Sequence, residues 1–175
     1  VSGATVARRL TLVRHGRAEQ KGSGQRDFDR ALDRRGLAEA TGMAHRWRDS
    51  GLPPDLLVAS AALRTVQTAE AFQRVLARPA RPLRIEPSLY LAEVAALLEC
   101  IRATDDEVAH LMLIGHNPGL SDLAVQLAPS ARFAGFDTGA SCSMEFAAVS
   151  WSVLQLGQAQ DFRYEAPGRF HDAWS

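Results

Sequence analysis

The 175 residues include 46% hydrophobic and 23% charged side chains, enough for the core of one globular domain, and 1–175 is read as that single domain. Lys+Arg and Asp+Glu number 20 each, a formal net charge of +0, which excludes a global field for nucleic acid or anionic membrane and makes any anion site local. The opening VSGATVARRL has no apolar stretch of signal-peptide length, and no apolar run reaches the roughly 18 residues of a membrane span, so the chain reads as soluble and cytoplasmic, its oligomeric state open.

The first predicted element is a short strand, LTLV (10–13), ending at Arg14. A helix follows from Asp33, its N-cap, to Asp49, with Leu37, Ala40, Ala44 and Trp47 at helical spacing, and Gly51, Pro53 and Pro54 stop it. DLLVAS (55–60) is a buried strand leading into a helix over 63–76 with Val66, Ala69, Phe72 and Leu76 as its apolar stripe. LRIEPSLY holds a short strand, EVAALLECIRAT a third helix, HLMLIGH (110–116) a strand and GLSDLAVQLA a fourth helix. Beyond Pro129, SCSMEFAAVSWSVL suits one or two strands, and the tail from Gly157 is polar without a clear period. This alternation predicts an α/β three-layer sandwich, a mostly parallel central sheet with helices on both faces.

In such sheets ligands bind outside the carboxyl ends of the strands. Those ends deliver Arg14 and His15, then Ser60 with Arg64 one helical turn further on, then His116 and Asn117. Arginine forks bind phosphate bidentately, so Arg14 and Arg64 form a clamp for a dianion. In GHNPGL, Asn117 reads as an N-cap and Pro118 as the first helical residue, opening an anion cradle at a helix N-terminus. Gly16 and Gly115 flank the histidines and permit close backbone approach to a ligand. With phosphate held there, a neutral imidazole attacks phosphorus while the second histidine, as a cation, stabilises the equatorial oxygens. Nearby arginines favour the neutral form, and the scheme calls for no metal and no cofactor.

LVRHGRAE, SAALRTVQTAE and LIGHNPGL resemble the three signatures of the histidine phosphatase superfamily, the phosphoglycerate mutase-like fold. Within it the short chain is most similar to SixA-type phosphohistidine phosphatases. The resemblance implies that His15 is the phosphorylated nucleophile, that Arg14 and Arg64 grip the phosphate and that His116 completes the pocket. Arg30, in DFDRALDRRG, matches the arginine of the D-x-x-R-x-L-T-x-x-G pattern and is placed at the pocket mouth as a substrate-binding residue, with Gly16 and Asn117. Asp33 stands where that pattern has Thr and keeps capping ability. Ser60-Ala61 replaces the usual Ser-Pro and should loosen that turn.

Relatives with a general-acid glutamate carry it about where this chain reads PSLYLAE, which puts the apolar Leu91 or a neighbour in its place. An alkoxide leaving group needs a proton from the enzyme, whereas a protonated phosphoimidazole leaves as neutral imidazole. The missing acid leans toward phosphoramidates or activated esters, with Glu19 and Glu93 as substitute acids. With no large insertion over it, the site is expected to be open enough for a protein side chain. The expected activity is a phosphatase acting on protein phosphohistidine or a small phosphorylated compound, and the alternative is a catalytically silent phosphate-binding or scaffold protein.

Other residues read as structural. His45, His110 and His171 are isolated, Arg34 and Arg35 open a solvated helix, and Gln67 and Glu70 support a helix, orienting Arg64 from behind. The tryptophans read as packing or surface residues, and Cys100 and Cys142, matching no zinc or redox spacing, as buried reduced thiols.

Overall fold

The computed structural model describes residues 7–76, 83–148 and 150–168; His171 and Trp174 lie outside them. Six strands form one sheet: β1 (Ala7–Arg14), β2 (Leu56–Ser60), β3 (Arg84–Glu86), β4 (His110–Gly115), β5 (Ser141–Ala147) and β6 (Gln160–Glu165). Their order is β3-β2-β4-β1-β5-β6, parallel through β3, β2, β4 and β1, with β5 antiparallel to β1 and β6 antiparallel to β5. The mostly parallel sheet agrees with the alternation of the sequence. Helices α1 (Arg34–Asp49), α2 (Leu63–Leu76), α3 (Val94–Arg102) and α4 (Gly119–Leu127) cover it.

Alternation along the central strands divides the core between the two faces. Leu10, Leu12, Leu111 and Leu113 pack with Leu97 and Ile101 of α3 and Leu120 and Leu123 of α4. Val13, Met112 and Ile114 pack on the other face with Met43 and Trp47 of α1 and Phe72 of α2. This is the expected three-layer sandwich. Both cysteines are free and buried, and among the described residues no helix is long and apolar enough to cross a membrane.

Local chemistry sets the element ends. Asp33 caps α1, its carboxylate accepting from the Gly36 amide at 2.7 Å. The Ser60-Ala61 turn is tied down rather than loose: the Thr65 hydroxyl reaches the carbonyls of Ser60 and Ala62 at 2.7 and 2.6 Å. Leu37, expected on the apolar face of α1, is 45% exposed, and Met43 takes its place in the core. The helix turns Leu37 outward because Gly36 packs its backbone against Arg17 at the first turn. After β5 the chain forms a 3-10 turn (Trp151–Val153) that buries Trp151, and the tail supplies β6. That strand escaped the sequence reading because it pairs at the sheet edge, where its side chains are exposed or half-buried.

Trp47 and Trp151 are packing residues, their indole N–H groups donating to Ser141 Oγ and the Val108 carbonyl. His110 is buried at the start of β4 against Thr11, and His45 is exposed on α1. Gln67 does not orient Arg64: its side-chain oxygen accepts from the Leu32 amide at 2.7 Å, fastening the segment before α1 to α2.

Candidate active site

Strand register brings the predicted site residues together. Arg14 of β1 lies opposite Gly115 of the neighbouring β4, so the next residue on each strand, His15 and His116, emerges beside the other. Their ring centroids are 5.3 Å apart. On the far side of β4, β2 ends at Ser60, and the first turn of α2 carries Arg64 back over both rings.

Arg64 Nε donates to His15 Nε2 at 3.2 Å, and its Nη2 faces His116 Nδ1 at 3.3 Å. A guanidinium only donates, so both ring nitrogens present lone pairs. The opposite nitrogens carry the protons: His15 Nδ1 donates to the Gly16 carbonyl at 2.8 Å, and His116 Nε2 donates to Ser60 Oγ at 2.8 Å. Burial, reinforced by Arg64, Arg14 and Arg30, lowers the His15 pKa to about 4. Burial, then the His15 ring and Arg64, lower that of His116 to about 3. His116 is therefore neutral in the free protein, because burial removes the water that stabilises an imidazolium; the cation expected of the second histidine belongs to the phosphate-bound state.

The other predicted residues have definite places. Arg14 donates to the Phe136 carbonyl at 2.7 Å. Arg30 bridges the Glu19 carbonyl and the Asp27 carboxylate, each at 2.8 Å. Gly16 holds the His15 tautomer through its carbonyl, and its lack of a Cβ serves the chain itself, since a Cβ there would lie 2.3 Å from the Gly36 carbonyl oxygen. Asn117 is not the N-cap of α4. Pro118 occupies that position after a cis peptide bond, and the Asn117 amide is spent on the Phe136 carbonyl and the Ser121 hydroxyl. This links the second histidine to the wall of a cavity of about 460 Å³ formed with Phe133, Phe136 and Tyr164.

Neither proposed substitute acid joins the group around His15. Glu19 is exposed and meets Arg30 through its backbone carbonyl, while Glu93 lines a separate groove with Leu91 and Asp122. The carboxylate that does join is Asp27, 2.9 Å from Arg64 Nη2. It stands first in the same DFDR stretch that pointed to Arg30, and its two-cation neighbourhood appears only once 25–33 folds over α2. Tyr90, whose hydroxyl donates to Asp27 at 2.9 Å, arrives from the segment after β3. The Tyr90 ring packs on His116, and the histidines are 9% and 4% exposed, His15 and His116 respectively.

Known proteins share this fold. Residues 10–95 match the family model of the histidine phosphatase superfamily, branch 1. SixA from Agrobacterium tumefaciens is 30% identical, with a TM-score of 0.77 over 91% of this chain and 98% of that one. The protein histidine phosphatase SixA solved with tungstate is 25% identical, with a TM-score of 0.76 over 91% and 97% of the two chains. An uncharacterised protein of Mycobacterium tuberculosis is 38% identical over 103 residues, 58% of this chain but only 61% of the relative's length. Mycobacterial glucosyl-3-phosphoglycerate phosphatase, 15% identical with a TM-score of 0.64 over 91% and 98% of the chains, shares the fold. Motifs, sheet order and paired histidines converge with these likenesses: the chain belongs to the histidine phosphatase superfamily.

Proposed function

We propose that this protein is a phosphatase that works through a covalent phosphohistidine on His15, on a phosphohistidine side chain of a protein or a small phosphorylated compound, in a reducing cytoplasm. The observation that carries the reading is the His15 ring: neutral, its Nδ1–H fixed on the Gly16 carbonyl, its Nε2 lone pair beside the Arg64 guanidinium. That is a nucleophile prepared for phosphorus with a cation ready for the phosphoryl oxygens. The likeness to a protein histidine phosphatase that binds tungstate, a tetrahedral oxyanion, supports the same reading.

In the first step His15 Nε2 forms a bond to phosphorus as the bond to the leaving atom breaks and that atom takes the electron pair. Arg14, Arg64 and Arg30 supply positive charge to the phosphoryl oxygens. A leaving imidazole that enters protonated departs neutral and needs no acid. In the second step water attacks phosphorus, the P–N bond breaks with its electron pair returning to Nε2, and the water protons leave on phosphate or pass to solvent, with neutral His15 restored. As phosphate approaches, its charge raises the His116 pKa, which lets that ring take up a proton and donate it to an equatorial oxygen.

The test is phosphate release in EDTA by wild type and His15→Ala from a phosphohistidine peptide, a phosphoserine peptide and an aryl phosphate. Release from phosphohistidine and aryl phosphate, little from phosphoserine, and loss of both in the variant are expected. Normal turnover by His15→Ala sinks the mechanism, and no release from any substrate by wild type leaves a phosphate-binding protein.

A further inference from the structure

The scheme above leaves Asp27 without a task. It opens a 3-10 segment (Asp27–Asp29) between β1 and α1 and grips Arg64 twice. Its carboxylate Oδ2 accepts from Arg64 Nη2 at 2.9 Å, and its backbone carbonyl accepts from Arg64 Nη1 at 2.7 Å. One residue thus holds the outer edge of the guanidinium, while Nε and the second hydrogen of Nη2 face the histidines. A guanidinium is a rigid plane, so fixing one edge fixes the other.

We propose that Asp27 is a positioning residue for phosphoryl transfer, holding the Arg64 guanidinium so that its inner edge meets the phosphoryl group between His15 and His116. Asp27 is itself locked. Arg30 donates to Oδ1 at 2.8 Å and the Tyr90 hydroxyl to Oδ2 at 2.9 Å. Hydrogen bonds from Arg30, Tyr90 and Arg64 keep its carboxyl far below the usual carboxylate range. The Tyr90 ring also packs edge-on against His116 and Phe28, with centroids 5.6 and 5.0 Å away, tying this segment to the second histidine. Charge follows the same design: the Arg14, Arg30 and Arg64 charges less the Asp27 carboxylate leave two positive charges for a phosphoryl dianion.

The proposal rests on the phosphatase reading, and the experiment separates the two. Wild type, His15→Ala, Asp27→Ala, Asp27→Asn and Tyr90→Phe are compared for kcat and KM on an aryl phosphate. Inhibition by vanadate, which mimics five-coordinate phosphorus, and by inorganic phosphate is measured on each. A misplaced donor costs the transition state more than the ground state, so Asp27→Ala should lose about 100-fold in kcat. Its vanadate affinity should fall in parallel while KM and phosphate inhibition change less than about 3-fold. Asp27→Asn keeps an acceptor oxygen and should lie between, with Tyr90→Phe showing a smaller loss in the same direction; these two carry the test if Asp27→Ala does not fold. Unchanged kcat in the Asp27 variants overturns the proposal alone. Tighter phosphate binding with retained kcat also overturns it, since Asp27 would then merely compete with phosphate for Arg64. A wild type that releases no phosphate sinks the phosphatase reading and this proposal with it.

Discussion

Two groups of fixed polarity decide which nitrogen of His15 is free. A carbonyl can only accept and a guanidinium can only donate, so Nδ1 bears the hydrogen and Nε2 the lone pair. With its pKa lowered to about 4, the ring is neutral throughout the neutral pH range. Nitrogen NMR of the free protein at pH 6 should show His15 with a protonated Nδ1 and an unprotonated Nε2; a doubly protonated ring there would remove the proposed nucleophile. Arg64→Lys should cost about 100-fold in kcat/KM, because a point charge cannot span His15 and His116 as the fork does, and steady-state kinetics on an aryl phosphate checks it. His15, Arg14, Arg64 and His116 were legible in the sequence because each stands at a strand end or on the first turn after one. Asp27 and Tyr90 were not legible as partners. They meet Arg64 from segments 37 and 26 positions away, and no periodicity encodes that meeting.

At the scale of elements, the active-site end of β1 is pressed against the first turn of α1. A Cβ on Gly16 would lie 2.3 Å from the Gly36 carbonyl oxygen, and one on Gly36 would lie 2.0 Å from that of Arg17. Backbone meets backbone here, and no side-chain rotation relieves the contact. Gly16→Ala should therefore push α1 away, lower the denaturant midpoint and displace His15, whose Nδ1 depends on the Gly16 carbonyl. Gly42, within the same helix, has nothing within 4 Å of its Cβ position. Gly42→Ala should stabilise by about 0.5–1 kcal/mol through helix propensity. Urea unfolding of the pair separates contact from propensity, and equal effects would contradict the geometry. Sequence carried α1 and α2 well because a cap and a 3.6-residue period are local signals: Asp33 caps α1 as read, and α2 spans 63–76 as read. It did not carry β6, whose existence depends on β5 offering an antiparallel partner.

Across the whole molecule, three buried imidazoles couple folding to pH. His15 and His110 are lowered to about 4 and His116 to about 3, burial being the largest cause in each. In the unfolded chain each returns to about 6.5. Between these values the unfolded state binds protons that the folded state refuses, so stability is complete above about pH 6.5 and is lost as pH falls through 4 toward 3. Asp27, with its carboxyl held low by Arg30, Tyr90 and Arg64, adds a loss of the same sign in more acidic solution. Urea midpoints should therefore be flat from about pH 7 to 8 and drop steadily from pH 6 to 4. Replacing His110, which lies at the opposite end of β4 from the site, with Gln should shrink that drop without touching His15. A midpoint that rises on acidification would mean that the buried histidines are cationic in the folded protein. The same result would deny His15 its lone pair, so the acid sensitivity of the fold and the readiness of the proposed nucleophile stand on one physical fact, the exclusion of water from the ends of β1 and β4.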